Sequence, residues 1–238
     1  MLVAPKLHLV DGIARGMVNA YLWERPDGGL TLIDTGMPAD APRILAYVKS
    51  LNNGQRLDRI IVTHADIDHI GGLAAMQQAT GARVVCHAVE KAVVEGRAPR
   101  IMGTSLLARA YGPVFGWFTR TALHYRPVQH VDELVLDKQI LTEGFQVIHV
   151  PGHTAGQIAL FEPQRGILIV ADALNNSRGN GQFGPPMPLA TPHKEVARQS
   201  VRKLAELKGI QLICFGHGQP VYEQAAERLQ AYAASLPT

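Results

Sequence analysis

The chain has 238 residues, of which 47% are hydrophobic and 18% charged, and its formal net charge is +3. A chain of this composition can bury a substantial core, and no linker or composition break divides it, so we predict a single domain over residues 1–238. The weak basic excess argues against a nucleic-acid-binding stripe. The two distant cysteines, Cys86 and Cys214, argue against a disulfide framework and a thiolate zinc site.

The amino-terminal stretch MLVAPKLHLVDG has an early proline, no long apolar run and a polar continuation. This pattern is not that of a signal peptide or of a membrane-spanning helix. We therefore expect a cytoplasmic protein with no membrane span and no nucleic-acid partner.

Short apolar runs between turn signals open the chain and predict an antiparallel meander, with strands at residues 6–10, 19–24 and 30–33. The third strand ends in IDTG. There, Asp34 either supports a metal-binding histidine by hydrogen bonding or only shapes the turn. A helix is predicted to start at Asp40, which is followed by alanine and proline.

The next predicted strand, RIIVT, leads into THADIDHIGG at residues 63–72, which contains His64, Asp66, Asp68 and His69. Imidazole nitrogens and carboxylate oxygens bind zinc, and they bind iron or manganese as the carboxylate share rises. In extended backbone the side chains of residues 64, 66 and 68 point the same way, and a turn at residue 69 can bring the next ligand to a second ion. We interpret the segment as a metal-binding loop, in preference to a solvated polar loop.

A helix over residues 73–80, closed by Gly81, and the strand RVVCHA follow the loop and predict an α/β crossover. The loop then lies at the carboxyl end of a strand, where open α/β sheets bind ligands. His87, at the end of RVVCHA, is interpreted as a half-buried strand-end histidine in preference to a ligand.

Residues 96–131 leave this alternation and form an apolar, aromatic and basic segment without Asp or Glu. Its arginines are Arg97, Arg100, Arg109, Arg120 and Arg126. A short helix is predicted from Ser105 to Gly112. We expect either a substrate lid whose arginines meet an anion, or a cap over the core or a contact in a homodimer.

Three more predicted strands each end in a candidate ligand: QVIHV before His153, GILIV before Asp172 and QLICF before His217. QIALF is predicted to pair beside the first of these strands. A random scatter of His and Asp would not favour strand ends. The candidate ligands are therefore His64, Asp66, Asp68, His69, His153, Asp172 and His217.

Between and after these strands, residues 174–193 are rich in Gly, Pro and Asn and are predicted to form a loop. Thr191-Pro192 has the composition of a helix start, and a last helix is predicted from about Val221.

In chain order, LIDTG, THADIDHIGG, PGHTAG, the Asp172 strand and GHGQP resemble the motifs of the metallo-β-lactamase-fold hydrolase superfamily, which includes glyoxalase II, lactonases and ribonuclease Z. The resemblance covers nearly the whole chain. It implies a four-layer αββα sandwich with metals at one edge between the two sheets. It also implies a first metal at His64, residue 66 and His153, a second at Asp68, His69 and His217, and Asp172 as a bridge.

Residue 66 departs from the family motif HxHxDH, since this chain has HADIDH. A third carboxylate lowers the summed charge of two divalent ions, their ligands and a hydroxide from about +1 to about zero. The set His64, Asp66 and His153 suits zinc and also iron. We expect two divalent ions, with zinc first and iron or manganese as alternatives. Otherwise Asp66 stays outside the coordination shell and one metal binds tightly.

A water that bridges two metal ions loses a proton near neutral pH, so no serine or cysteine nucleophile is needed. Asp68 is the expected catalytic residue, which orients this water and passes its proton to the leaving group. We expect hydrolysis of a small apolar ester or lactone. The alternatives are a non-haem diiron redox or oxygen-handling protein, and phosphodiesterase or β-lactamase chemistry of the same superfamily.

Overall fold

The computed structural model describes residues 1–51, 55–103, 114, 117–118, 120–176 and 182–237. These residues divide into two compact units, the first within Met1–Arg100 and Ala110–Val135 and the second within Ile101–Arg109 and Leu136–Thr238. Each unit has its own β-sheet and helices, so the α/β class is confirmed. The single domain over residues 1–238 stays a prediction.

The first unit contains a seven-stranded sheet whose strands lie in chain order. The strands are β1 (Leu2–Ala4), β2 (Leu7–Leu9), β3 (Tyr21–Glu24), β4 (Leu30–Ile33), β5 (Leu57–Val62), β6 (Arg83–His87) and β7 (Glu133–Val135). Pairing is antiparallel from β1 to β4, as the meander predicts, and parallel from β4 to β7. The carboxyl ends of β4, β5 and β6 therefore meet at one edge of the sheet, where Asp34, His64 and His87 lie.

The α-helices of the first unit that the structure describes from end to end are α1 (Ala41–Ser50), α2 (Ile67–Ile70), α3 (Leu73–Thr80) and α4 (Lys91–Val94). Helices α1 and α3 bury Ile44, Leu73 and Met76 in one apolar cluster with β-strand residues such as Leu32 and Ile60. Burial of these side chains is the main force that holds the helices on the sheet. The predicted end of α3 is confirmed, since Gly81 adopts a left-handed φ of 69°.

The second unit contains a four-stranded sheet in the order β11-β10-β9-β8. Its strands are β8 (Gln146–His149), β9 (Ile158–Glu162), β10 (Ile167–Ala171) and β11 (Leu212–Phe215), and its helices are α5 (Lys194–Ala205) and α6 (Ala225–Ser235). Val201 and Leu204 of α5 pack in a cluster with Leu168 and Ile213 of the sheet. Among the described residues, no helix is long and apolar enough to cross a membrane.

Two kinds of element differ from the prediction. Strands β1 and β7, of three residues each, were not predicted. The last helix begins at Ala225, later than the predicted Val221. Val221 exchanges backbone hydrogen bonds of 2.9 Å with Ile213 of β11, so its backbone is already paired with the sheet.

Part of the segment 96–131 is described. Trp117 and Phe118 are 67% and 46% exposed. The predicted helix from Ser105 to Gly112, and Phe115, lie outside the described residues.

Candidate metal centre

The segment after β5 changes conformation at Asp66. Asp66 has extended backbone, with φ −82° and ψ 147°, and α2 begins at Ile67. The Asp66 carbonyl accepts hydrogen bonds of 2.9 Å from the amides of His69 and Ile70. The prediction of extended backbone through residue 68 was therefore wrong, because these hydrogen bonds close a helical turn that contains Asp68 and His69.

His64 and His69 lie side by side, fully buried, with 4.1 Å between their ring centroids. His64 Nε2 is 3.9 Å from Asp66 Oδ2, and His69 Nε2 is 3.9 Å from Asp68 Oδ2. These distances are too long for hydrogen bonds. They are below the roughly 4.2 Å that can separate two atoms each about 2.1 Å from one ion. Both nitrogen–carboxylate pairs therefore have a spacing that fits a shared metal ion.

Hydrogen bonds at Nδ1 determine the tautomers of both rings. His69 Nδ1 donates to Asp34 Oδ2 at 2.8 Å, and the Thr63 hydroxyl donates to the same oxygen at 2.7 Å. Since the Thr63 hydroxyl proton points at Asp34, its oxygen accepts a hydrogen bond from His64 Nδ1 at 3.0 Å. Both imidazoles therefore carry their proton on Nδ1, and Nε2 holds the lone pair that a metal ion binds.

Asp34 has a left-handed φ of 60° at the end of β4, a conformation that aspartate and asparagine tolerate better than most residues. Its buried carboxylate also accepts a hydrogen bond of 2.9 Å from the Thr63 amide. Thr35 donates to the His69 carbonyl from its amide at 2.7 Å and from its hydroxyl at 2.9 Å. Of the two roles that the sequence left open for Asp34, the structure shows the first, since its carboxylate accepts a hydrogen bond from a candidate ligand. IDTG holds His69 at both its ring and its backbone.

In the second unit, Asp172 follows a bulge at the end of β10, where Ala171 has a left-handed φ of 48°. Asp172 Oδ2 lies 3.1 Å from His217 Nε2 and 3.8 Å from His153 Nε2. One carboxylate oxygen thus faces two imidazoles, with both distances within the range for atoms that share an ion. The three strand-end candidates of this unit are brought together as the sequence predicts.

The tautomer of His153 is determined in the same way as that of His64. The Thr191 hydroxyl donates to the Met187 carbonyl at 2.8 Å and accepts from His153 Nδ1 at 3.1 Å. The Thr191 hydroxyl therefore does not cap α5, which begins at Lys194, later than Thr191-Pro192 indicated. Thr191 was not predicted as a partner of His153, because a threonine before a proline also fits a helix start.

Gly152, directly before His153, lies against α5. Its φ is +131°, and a Cβ atom there would lie 2.3 Å from the Ala197 amide nitrogen. We expect Gly152→Ala to lower the free energy of unfolding by about 2 kcal/mol or more, because backbone must move. Gly144 has φ +91° with nothing within 4 Å of the built Cβ, so Gly144→Ala carries the strain without the contact. Urea unfolding compares them, and equal losses would refute a role for the contact.

Asp66 is bound by an arginine that the sequence did not predict as its partner. Arg100 Nε donates to Asp66 Oδ1, and Arg100 Nη2 donates to Asp66 Oδ2 at 3.3 Å. The two side chains are only 14% and 13% exposed. Thirty-four positions separate the two residues, and the one signal was the location of Arg100 in a segment without acidic residues.

Two other residues support the edge of the first sheet. Glu90, which is buried, accepts a hydrogen bond of 3.0 Å from the Ala65 amide and so holds the backbone between His64 and Asp66. No sequence pattern indicated it. His87 is buried at the end of β6, and its Nδ1 accepts a hydrogen bond of 3.4 Å from the Val89 amide, in agreement with a strand-end role.

The protein has the side chains to bind divalent metal ions at its strand ends. The buried histidines His64 and His69 are protonated on Nδ1, and carboxylates face their Nε2 atoms. The chain belongs to the metallo-beta-lactamase superfamily, whose family model matches residues 13–217. This match confirms the resemblance seen in the sequence motifs.

Similar proteins agree with this family. Probable metallo-hydrolase YflN of Bacillus subtilis (strain 168) is 30% identical over 230 residues, which cover 89% of this chain and 84% of YflN. Hydroxyacylglutathione hydrolase of Ectopseudomonas mendocina (strain ymp) is 27% identical over 189 residues, 79% of this chain. The matched part is 58% of that enzyme. Family and relatives together support a metal-dependent hydrolase.

The fold prediction is confirmed by solved structures of the same type. TTHA1623, whose crystal structure is of a di-iron-bound form, is similar with a TM-score of 0.66 and 25% identity. The similarity covers 92% of this chain and 94% of TTHA1623. The chain therefore has the metallo-β-lactamase type of α/β fold.

Proposed function

We propose that the protein is a dinuclear metal-dependent hydrolase that cleaves a small apolar ester or lactone. The observation that carries this proposal is the shared state of His64, His69 and His153. Each ring has its Nδ1 in a hydrogen bond that leaves Nε2 as the metal-binding atom. All seven candidate ligands lie within residues 13–217, the part that the family model matches, which supports the proposal that they act together.

In the proposed centre, His64, Asp66 and His153 would hold the first ion, Asp68, His69 and His217 would hold the second, and Asp172 would serve both. Distances of 3.1 to 3.9 Å within each unit support the pairing of His64 with Asp66, of His69 with Asp68, and of Asp172 with both His153 and His217. Zinc is the proposed metal. Iron and manganese are alternatives because the set contains three carboxylates.

When bound, the ions supply an activated water and a Lewis acid for the substrate carbonyl. Asp68 would then act as the proton carrier, with its carboxylate placed to accept a proton and to give it to the leaving group. Its side chain is 29% exposed while His69 beside it is buried, so the carboxylate reaches both solvent and the metal-binding nitrogen. Cys86 does not compete as a nucleophile, because burial raises the pKa of its thiol to about 12.

The exposed aromatic side chains of Trp117 and Phe118 support an apolar substrate. We propose that they cover the acyl part of the substrate. A contact between two copies of the chain is the alternative use of these side chains. The hydroxyacylglutathione hydrolase relatives add a second substrate class for the same chemistry.

A metal and substrate screen tests the proposed function. We expect close to two divalent ions per chain by elemental analysis, and turnover of lactones or aryl esters that a chelator abolishes and zinc or manganese restores. The screen includes a hydroxyacylglutathione and a phosphodiester. Replacement of Trp117 and Phe118 by alanine is expected to raise KM about tenfold for the longest acyl chains. Turnover of the phosphodiester alone, or of no substrate by metal-loaded protein, would refute the proposal.

A diiron redox protein is the second candidate. The di-iron form of TTHA1623 and the carboxylate at residue 66 both favour it. Purified protein that contains iron, has a redox-active visible spectrum and hydrolyses none of the substrates would replace the hydrolase with this candidate.

A further inference from the structure

We propose that Arg100 is a resident cation that competes with the metal ion for Asp66, so that the site at Asp66 fills last. The inference rests on the metal centre proposed above, and it concerns the order in which that centre fills. Arg100 acts through Asp66 and is therefore a positioning residue.

Arg100 and Asp66 form an ion pair at the oxygen that faces His64. The guanidinium contacts both carboxylate oxygens of Asp66, through Nε on Oδ1 and Nη2 on Oδ2. The second of these oxygens also faces His64 Nε2 at 3.9 Å. The oxygen that would bind the metal ion is therefore 3.3 Å from a positively charged nitrogen.

Charge and burial supply the second argument. An arginine side chain keeps its proton in proteins, so Arg100 cannot lose its charge when a divalent ion arrives. Both partners are largely buried, so water and salt screen the repulsion between the guanidinium and the ion poorly. An ion at Asp66 must either displace Arg100 or bind beside it, and both reduce its affinity.

The backbone at Arg100 permits displacement. Residues 99–103 lie after α4 in neither a helix nor a strand. Movement of the guanidinium away from Asp66 therefore breaks no regular element. The irregular backbone is therefore consistent with a site in which Arg100 first binds Asp66 and moves away when a metal ion binds the carboxylate.

If Arg100 only orients Asp66, its removal should change metal affinity in the opposite direction. A hydrogen-bond partner that only orients a ligating carboxylate increases metal affinity, and its removal costs roughly 10- to 100-fold. A competing cation lowers metal affinity, and its removal increases it. Measurement of metal affinity in Arg100 variants therefore separates the two roles without any assay of catalysis.

The experiment is calorimetric titration of metal-free protein with zinc. In the unsubstituted protein we expect two unequal binding steps. Arg100→Gln removes the charge and should tighten the weaker step by roughly tenfold or more. Arg100→Lys keeps a charge and should stay close to the unsubstituted protein. Arg97→Gln is the matched control, because Arg97 lies on the same segment, is exposed, and pairs with Glu95 just before that segment.

The same substitution in a protein that carries Asp66→Asn tests whether Arg100 acts through Asp66. Asp66→Asn should abolish the weaker step, and Arg100→Gln should then leave the remaining step unchanged. Arg100→Met replaces Arg100→Gln if the latter fails to fold by circular dichroism. A weaker step that is unchanged or further weakened in the Arg100 variants, or a single step of equal affinity in all proteins, overturns the inference. If the step tightens but no substrate is hydrolysed, the proposed function fails and the competition stands.

Discussion

His64→Ala is expected to remove one metal ion per chain and to lower kcat/KM by about a thousandfold or more. The His64 ring is fully buried, Thr63 fixes its tautomer, and its Nε2 faces Asp66 Oδ2 at 3.9 Å. Alanine supplies no nitrogen at this position, so the ion proposed at Asp66 loses an imidazole ligand. Elemental analysis of the purified variant and steady-state kinetics on the best substrate of the screen measure the two effects.

His130→Ala is the control for this substitution. The His130 side chain is exposed, and its Nε2 lies 3.8 Å from Asp132. Its removal should leave metal content and kinetics unchanged. Thermal unfolding of the metal-free proteins separates a loss of metal from a loss of the fold. If His64→Ala kept two ions and full activity, the assignment of the whole ligand set would fail.

The elements that could be predicted from the sequence are those with local signals. The strand at residues 30–33 and the helix at residues 73–80 match the observed bounds, because each has an apolar run and a turn signal at its end. Strand β7 has no such signal. It is defined by parallel pairing with β6, in which Val85 lies opposite Glu133. A pairing between residues so far apart in the chain leaves no pattern in the sequence around either strand.

The candidate ligands could be predicted because they recur at strand ends, but their hydrogen-bond partners could not. Thr191 is 38 positions from His153, and Arg100 is 34 positions from Asp66. Such pairs form only when the fold brings distant segments together. The structure also changes the interpretation of Asp66. Its extra negative charge is matched by the Arg100 guanidinium, so the local charge is less negative than the motif alone indicates.

Asp34→Asn is expected to weaken metal binding by roughly 10- to 100-fold, although the side chain keeps its size and does not bind the metal in the proposed centre. Asp34 accepts three hydrogen bonds: one on Oδ1 from the Thr63 amide, and two on Oδ2 from the Thr63 hydroxyl and His69 Nδ1. An asparagine can accept on one side only. If its amide oxygen faces His69, its NH₂ group meets the Thr63 amide, and two donors face each other.

In the other orientation the NH₂ group of the substituted side chain donates to His69 Nδ1. The imidazole proton then moves to Nε2, the atom that should bind the metal ion, and the tautomer becomes the wrong one. The substitution adds no backbone strain that could change zinc affinity, because asparagine, like aspartate, tolerates the left-handed φ of 60° found at this position. Calorimetric zinc titration measures the affinity. Nitrogen NMR of the metal-free variant should show a proton on Nε2 of His69 if this orientation is the one adopted.

Asp40→Asn is the matched control, because it removes the charge of another buried carboxylate, which lies against Gly36 of the same IDTG turn. Asp40 accepts hydrogen bonds from the amides of Ala14 and Met37 at 2.9 to 3.1 Å. Both variants should lose about 1–3 kcal/mol of unfolding free energy, since in each an NH₂ group replaces a carboxylate oxygen that accepted a hydrogen bond. Only Asp34→Asn should change zinc affinity. An equal loss of affinity in both variants would mean that reduced stability, and not the tautomer of His69, controls metal binding at this site.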